Sequence, residues 1–168
     1  MLSVVIEARN DEEGLARTLA SLVSGAVEGV VREVIVCDLG SADHSHHVAE
    51  EAGCVWLAQG GAAAGVRHAK SDWVLLIEPG ATLLDGWMES VARHVSRAEM
   101  AGRFSTARKA RIPFFKRIFS GNRALVQGLL ITKRQATSLS KTGQGGEAIA
   151  RGLATKRLDG EIIPAVRK

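Results

Sequence analysis

Short apolar runs alternate with amphipathic segments through residues 2–99 of this 168-residue chain. The apolar runs are rich in β-branched side chains and cover residues 2–6, 32–37, 54–57 and 73–77. Buried parallel strands have this composition, and strand–helix–strand units are joined by right-handed crossovers. The alternation therefore predicts one α/β domain, Rossmann-like in organisation, with a mostly parallel sheet flanked by helices.

The segments between the predicted strands carry the signals of helix ends. Asn10 precedes a run of acidic residues and is the predicted N-cap of a helix that ends at Gly25. The other predicted helices cover residues 41–52, 62–70 and 84–99. Beyond these the pattern weakens. Residues 101–112 are predicted as a strand or a mobile loop, and a strand, a short helix and an extended segment are predicted over residues 124–131, 145–153 and 157–166.

Length and cysteine content limit the kind of protein. The chain is long enough for one domain with a sizeable core, over residues 1–168. No apolar run is long enough to span a membrane, and the N-terminus lacks the basic start and long apolar stretch of a signal peptide. Cys37 and Cys54 lie in or beside predicted strands without a metal-type spacing, as small buried thiols do. These features predict a cytoplasmic protein.

Positive charge is concentrated in the second half of the chain. The formal net charge is +4, yet residues 100–146 contain no Asp or Glu. The same stretch carries the basic residues Arg103, Arg108, Lys109, Arg111, Lys116, Arg117, Arg123, Lys133, Arg134 and Lys141. Such a block is typical of a surface that meets phosphate groups or an anionic membrane, and a solubilising basic face is the alternative. A nucleic-acid partner is not expected.

Aromatic and basic residues are interleaved in the run Pro-Phe-Phe-Lys-Arg-Ile-Phe, residues 113–119. A short amphipathic helix of this composition can lie in an anionic membrane interface. The alternative is a helix that packs its aromatic side chains on the sheet. The first interpretation predicts a protein peripheral to the inner membrane.

An acidic residue closes the second predicted strand, in the run Val-Cys-Asp-Leu-Gly-Ser over residues 36–41. A buried strand of this kind delivers Asp38 to the carboxyl edge of the sheet, and Ser41 is the predicted cap of the next helix. Ligands of open α/β sheets bind at that edge. The position of Asp38 therefore predicts a nucleotide-handling protein.

The opening run Ser-Val-Val-Ile-Glu-Ala-Arg-Asn-Asp-Glu-Glu-Gly-Leu occupies residues 3–15. Together with the Asp38 turn it resembles the family-2 glycosyltransferases of the GT-A fold. The likeness continues through residues 71–77 and 127–131, and the second of these, Gln-Gly-Leu-Leu-Ile, is similar to a strand of one small bacterial branch. It extends over roughly residues 2–153. The resemblance implies a GT-A-like sheet and a nucleotide-sugar donor.

The resemblance places the donor in the first half of the chain, residues 1–99, and the acceptor in the basic half, residues 100–168. It implies a base and ribose pocket lined by Ala8, Arg9, Asn10 and Glu12. Asp38 would accept hydrogen bonds from the base or ribose, since an ionised carboxylate accepts strongly from N–H and O–H donors. The alternatives are a turn role for Asp38 and a helix-capping role for Asn10. A phosphorylated or lipid-linked acceptor would meet Gln127, Lys116 and Arg117.

The metal position of the family is altered in this chain. Family-2 enzymes place two acids after the fourth strand, where they hold the divalent cation that bridges the donor's diphosphate. Here the segment reads Glu78-Pro79-Gly80, which puts Glu78 at the first position and Gly80 at the second. Mg²⁺ and Mn²⁺ need hard oxygen ligands, and the glycine side chain offers none. The resemblance therefore implies at most a weak Mg²⁺ or Mn²⁺ site on Glu78.

The position of the catalytic base is altered as well. Inverting members carry an acid pair near the start of a late helix, which takes a proton from the acceptor hydroxyl. Aligned on Ile149 and Leu153, that pair falls on Gly145 and Gly146, and Glu147 lies one residue further along. Glu147 is therefore the candidate catalytic base, and the alternative is an ordinary acid in the first turn of a helix.

The glycine-rich segment at residues 59–65 lacks the arginine that the family often carries near the diphosphate. Its exposed amides, at the start of a predicted helix, can still bind an anion. Arg67 and Lys70 are candidates to replace the missing arginine.

Two functions remain open from the sequence. The first is an active glycosyltransferase that moves a sugar from a nucleotide-sugar to an acceptor by direct displacement at the anomeric carbon. The second is a non-catalytic pseudoenzyme that keeps the nucleotide pocket and acts as a binding or regulatory module, in one version on an anionic membrane surface. The glycines at positions 80, 145 and 146 favour the second function, because acidic residues are missing both at the metal position and at the catalytic-base position.

Overall fold

The computed structural model describes residues 1–97, 100–108, 123–140 and 145–166. Its strands are β1 (Leu2–Ala8), β2 (Val31–Asp38), β3 (Val55–Leu57), β4 (Trp73–Ile77), β5 (Thr82–Leu83), β6 (Gly102–Thr106), β7 (Leu129–Thr132) and β8 (Lys156–Ile163). The helices are α1 (Glu12–Val27), α2 (Ser45–Glu51), α3 (Gly61–His68), α4 (Trp87–Val95), α5 (Lys133–Leu139) and α6 (Gly146–Ala150). The aromatic and basic run at residues 113–119, with Lys116 and Arg117, lies outside the described residues.

The eight strands form one sheet in the order β3-β2-β1-β4-β7-β6-β8-β5. The first four strands in this order are parallel, as the alternation of apolar and amphipathic segments predicts. Strand β7 is antiparallel to β4 and to β6, and β8 runs parallel to β6. The prediction of one α/β domain with a mostly parallel sheet is confirmed, and the antiparallel pairs belong to the later part of the chain.

The register of the parallel strands brings their carboxyl ends to one edge of the sheet. Ala8 pairs with Asp38 at the ends of β1 and β2, and Ile6 pairs with Ile77 at the end of β4. The residues that follow these strands therefore meet at the same edge. This edge is where open α/β sheets bind ligands.

Helices cover both faces of the sheet, and each face has its own hydrophobic core. Alternate residues of β1 point to opposite faces, so that Val4 and Ile6 belong to one core and Val5 belongs to the other. Leu15 and Trp87, from helices on the first face, pack with Val4 and Ile6. Burial on both faces explains why the central strands are apolar without polar alternation.

The first helix starts and ends one to two residues later than the sequence predicts. Asp11, not Asn10, is the N-cap of α1, and its Oδ1 accepts a 3.2 Å hydrogen bond from the amide of Gly14. At the other end, Gly25 does not stop the helix. A Cβ built on Gly25 lies 2.6 Å from Cζ2 of Trp87, so this glycine allows α4 to pack closely against α1. Gly25 is therefore a packing residue, not a terminator.

Two further boundaries differ for local reasons. Helix α2 begins at Ser45 instead of Ser41, because the residues between them bond to the loop after β1. The strand predicted over residues 124–131 begins only at Leu129, because residues 124–127 form a turn that Gly128 closes at a φ of 65°. Each boundary is set by contacts between segments distant in sequence or by a turn.

The two cysteines are free thiols in the core or close to it. Burial, with a smaller contribution from the charge of Glu7, raises the pKa of Cys37 to about 12. Burial likewise raises the pKa of Cys54 to about 11. Both thiols therefore stay protonated at neutral pH and pack as small hydrophobic side chains. Within the described part of the chain, no helix has the length and apolarity to cross a membrane.

Candidate functional site

The loops that follow β1 and β2 are bonded to each other. The Leu39 amide donates to the Ala8 carbonyl at 2.9 Å, which continues the strand pairing past its end. Asn10 then bonds the second loop twice: its amide donates to Ser41 Oγ at 3.0 Å, and its Oδ1 accepts from the Ala42 amide at 2.7 Å. Asn10 adopts a left-handed φ of 49°, which Asn tolerates better than most side chains. The backbone amide and the side-chain oxygen of Asn10 thus hold the two loops together.

A second pair of residues continues this junction on its outer side. Oε2 of Glu12 accepts from the His44 amide at 2.9 Å and contacts Nδ1 of the same histidine at 3.1 Å. Asp43 Oδ2 in turn accepts from the Glu12 amide at 3.1 Å. Hydrogen bonds from Ser45 are the main reason why the pKa of Asp43 lies below its ordinary value. Both carboxylates are thus occupied in joining the loops.

Asp38 lies at the base of this junction. Its Oδ1 accepts a 2.9 Å hydrogen bond from the Ser41 amide, the turn role that the sequence offered as an alternative. The side chain is half-buried, and its other oxygen makes no hydrogen bond with the described residues. Asp38 therefore combines a turn bond with an oxygen that has acceptor capacity left.

A cavity of about 360 Å³ opens at the carboxyl edge of the sheet, between the ends of β1 and β4 and the start of α6. Four residues predicted for the site lie on its wall: Arg9, Asn10, Glu78 and Glu147. Four others do not: Ala8, Glu12, Asp38 and Gln127. Lining residues that the sequence did not single out as site residues include Glu7, Asp11, Leu39, Arg123, Leu125 and Ala165. Asp38 therefore does not line the cavity, although its neighbour in sequence, Leu39, does.

Glu7 bridges two helix starts across the cavity wall. Its Oε1 accepts from the Ala62 amide at 2.7 Å in the first turn of α3, and its Oε2 accepts from the Gly146 amide at 2.9 Å in α6. A Cβ built on Gly146 would lie 2.7 Å from Leu125 Cδ1 and 3.3 Å from Glu7 Oε2. The glycine at the predicted base position therefore leaves room first for Leu125 and, less tightly, for Glu7. Sequence reasoning did not single out Glu7 as a site residue, because its partners Ala62 and Gly146 lie 55 and 139 positions away in the chain.

Glu147 anchors a turn. Its Oε2 accepts from the Ala124 amide at 2.7 Å and its Oε1 accepts from the Leu125 amide at 3.0 Å. Both oxygens of the candidate base therefore already hold backbone N–H groups. Gln127, which follows this turn, does not line the cavity. Its side-chain Nε2 donates to Thr106 Oγ1 at 3.3 Å, and its backbone carbonyl accepts from the Phe104 amide.

Glu78 forms an ion pair with Arg123. Arg123 Nη1 lies 3.3 Å from Glu78 Oε2, and the two side chains are 26% and 16% exposed. Arg123 Nη2 also donates to the carbonyl of Ala165 at 3.2 Å, in the segment that follows β8. The sequence marked Arg123 only as one member of a basic stretch.

Gly80 is bonded to α1 and contacts the segment that follows β8. Its amide donates to the Gly14 carbonyl at 2.8 Å and to Thr18 Oγ1 at 2.9 Å, both in α1. Its φ is 94°, in the region that favours glycine, and a Cβ built on it would lie 3.3 Å from the Cβ of Ala165. An acidic side chain at this position would be strained and would press on the segment after β8.

The residues present do not fit a divalent cation. Mg²⁺ and Mn²⁺ take several hard oxygen ligands, but the one carboxylate at the expected place, Glu78, is paired with Arg123. Gly80 offers no side-chain ligand, and its φ of 94° disfavours any residue that would. In the described ranges of the chain, no group of three or more His, Cys, Asp or Glu side chains is placed to hold a metal.

The model of the family Glycosyl transferase family 2 matches residues 3–142 of this chain. The chain belongs to this family. The family assignment agrees with the resemblance in the loops after β1 and β2. No curated protein sequence matches this family 2 member.

Solved structures share its fold at low sequence identity. Glucosyl-3-phosphoglycerate synthase from Mycobacterium tuberculosis, in complex with Mn²⁺, UDP and glucosyl-3-phosphoglycerate, superposes with a TM-score of 0.61 at 17% identity over 100% of this chain and 73% of that one. S. aureus TarS 1-349 in complex with UDP-GlcNAc has a TM-score of 0.68 at 15% identity, over 99% of this chain and 59% of that one. S. aureus TarS 1-349 in complex with UDP has a TM-score of 0.64 at 15% identity, over 88% of this chain and 52% of that one. This family 2 member thus has the GT-A architecture within a shorter chain.

Proposed function

We propose that this family 2 member binds a nucleotide-sugar donor at the carboxyl edge of its sheet, with the base and ribose at the joined loops after β1 and β2. The observation that carries the proposal is the pair of hydrogen bonds through which Asn10 holds these loops together beside Asp38. A preformed junction lowers the ordering cost of binding. Neighbours of the same fold bind UDP and UDP-GlcNAc, which makes UDP the natural first probe.

The chemistry proposed for the bound donor is transfer of its sugar to an acceptor. The donor would occupy the half of the chain up to residue 99, and the acceptor would meet the basic half from residue 100, with Gln127, Lys116 and Arg117 on that side. Because this half carries no acidic residue up to Gly146, a phosphorylated or lipid-linked acceptor suits it best. The same charge favours a cytoplasmic protein that visits an anionic membrane surface.

Binding without turnover is the second candidate function. A specific observation favours it: both oxygens of Glu147 accept backbone hydrogen bonds, at 2.7 and 3.0 Å, so the candidate base serves as an anchor. A base must instead be oriented toward the acceptor hydroxyl, whereas these two bonds orient the Glu147 carboxylate toward the turn at residues 124–125. An assay of UDP-sugar hydrolysis that measures the UDP released distinguishes the two candidate functions. An active enzyme releases UDP, whereas a pseudoenzyme binds the donor and leaves it intact.

Replacement of Asp38 tests the nucleotide site. An Asp38→Asn variant keeps an oxygen for the turn bond to Ser41 but removes the charge, and a hydrogen bond to a charged acceptor contributes about 1.5–3 kcal/mol. We expect the affinity for UDP, measured by calorimetry, to fall at least about tenfold. The matched control is Asp159→Asn, which removes an exposed carboxylate paired with Arg93. Equal affinity of the Asp38→Asn variant and the parent would contradict the assignment of Asp38.

A further inference from the structure

The start of α3 is partly occupied by an internal carboxylate. Helix N-termini bind phosphate through their free amides, and the glycine-rich segment before α3 offers such a start. In the structure, however, the Glu7 carboxylate already accepts from the Ala62 amide and from the Gly146 amide of α6. An internal carboxylate thus stands where a phosphate group would otherwise bind.

The guanidinium of Arg123 is the remaining strong anion-binding group in the cavity interior among the described residues. Arg9, the other described cation on the cavity wall, is exposed at the rim. Arg123 is oriented from two sides, by the Glu78 carboxylate at 3.3 Å and the Ala165 carbonyl at 3.2 Å. A guanidinium carries five N–H donors, so these contacts leave donors for a ligand, and its planar fork matches two phosphate oxygens.

The charges at this position balance without a metal. One carboxylate, Glu78, faces one guanidinium, just as two carboxylates would balance one divalent cation. Glycine at position 80 removes the second carboxylate, and its φ of 94° disfavours any other side chain there. The remaining acids of the wall are occupied by backbone amides: Glu7 by two helix starts, Glu147 by a turn and Asp11 by the first turn of α1.

We propose that Arg123, held by Glu78 and the Ala165 carbonyl, binds the diphosphate of a nucleoside diphosphate ligand directly, so that this cavity needs no divalent metal. The inference rests on the proposed nucleotide function and adds the residue and the charge that hold the phosphates. Glu78 is then a positioning residue for Arg123 and not a metal ligand.

The test compares UDP with inorganic pyrophosphate on the full chain by calorimetry in EDTA. The parent protein binds both, an Arg123→Gln variant loses at least tenfold affinity for both, and Arg123→Lys recovers part of it because the charge returns without the fork. Asp38→Asn weakens UDP only, since pyrophosphate has no base or ribose. The control Arg93→Gln removes an exposed arginine paired with Asp159 and leaves both affinities unchanged.

A second experiment measures the metal dependence of UDP binding and the effect of replacing Glu78. Replacing EDTA with Mn²⁺ changes the UDP affinity of the parent less than twofold. Glu78→Gln weakens UDP binding in EDTA, but less than Arg123→Gln does, because the Ala165 carbonyl still orients the guanidinium. An absolute requirement for Mn²⁺, or an Arg123→Gln variant that folds by circular dichroism and binds like the parent, overturns the inference but leaves nucleotide binding standing. A parent protein that binds UDP under neither condition overturns the proposed function itself.

Discussion

Three glutamates of the cavity differ in what they bond, and that difference decides what each can do. Glu7 and Glu147 accept from backbone amides, whereas Glu78 faces the guanidinium of Arg123. The sequence placed Glu78 and Glu147 at the right edge of the sheet, because both follow recognisable elements. It did not reveal the bonding partners of the three glutamates. Glu7 and its partner Gly146, for example, are 139 positions apart. Residue type and strand position were predictable; the occupancy of each oxygen was not.

The Glu7 bridge gives a prediction at this scale. Glu7→Gln retains one acceptor oxygen and turns an NH₂ group toward the second helix start, so one backbone N–H loses its partner. We expect the free energy of unfolding in urea to fall by about 1–3 kcal/mol. The control Glu51→Gln removes a 69% exposed carboxylate paired with His47 and should change stability by less than about 0.5 kcal/mol. Equal losses in the two variants would rule out an anchoring role for Glu7.

Helices and strands were predictable where their apolar pattern is continuous. Strand β4 (Trp73–Ile77) has the predicted ends, and β2 extends the predicted run by one residue on each side. Predictions failed where another element sets the boundary. Glycine is common at helix ends, so Gly25 was predicted to end α1. In the structure it lies inside the helix, where the ring of Trp87 occupies the space beside it. The turn at residues 124–127 lies in an apolar stretch and bends because Glu147 holds its amides.

The packing of α1 on α4 predicts that a glycine-to-alanine replacement at Gly25 destabilises the protein, although such a replacement inside a helix usually stabilises it. Replacing glycine by alanine inside a helix ordinarily stabilises it by about 1 kcal/mol. At Gly25 the added methyl would lie 2.6 Å from Trp87, and overpacking typically costs about 1–3 kcal/mol. We therefore expect Gly25→Ala to lower the melting temperature, while Ser24→Ala, on the exposed side of the same helix, leaves it unchanged or raises it. A more stable Gly25→Ala variant would show that α4 can shift to make room.

At the scale of the whole molecule, the two edges of the sheet are built differently. The carboxyl edge opens into the cavity, whereas the amino edge is tied by Glu33, which joins β2 to β1 and to the residues before β4. Glu33 Oε1 accepts from Ser3 Oγ at 2.7 Å and from the Lys70 amide at 2.6 Å. Burial raises the pKa of Glu33, but these hydrogen bonds and the charge of Lys70 outweigh it and leave the pKa below 4.5.

This tie predicts a pH dependence of stability. Because the pKa of Glu33 is lower in the folded state, its ionised form stabilises the fold above the unfolded pKa, and the contribution is lost as the pH falls through the folded pKa. We expect Glu33→Gln to be less stable than the parent at neutral pH, with a difference that shrinks as the pH falls below 4.5. Urea unfolding across this range measures it, with Glu51→Gln as the exposed control. A difference that stays constant with pH would contradict the prediction.

The sequence by itself determined the architecture and the location of the site. Buried strands must be apolar and must end in turns, so Asp38 and Glu78 could be placed at the carboxyl edge before any contact was known. Only the tertiary structure decided the chemistry of that edge. Glu7 binds the Ala62 amide at the start of α3, Glu147 holds a turn, and Arg123 lies beside Glu78. These bonds join residues that are far apart in the chain, and long-range pairing leaves no periodic signal in a single sequence.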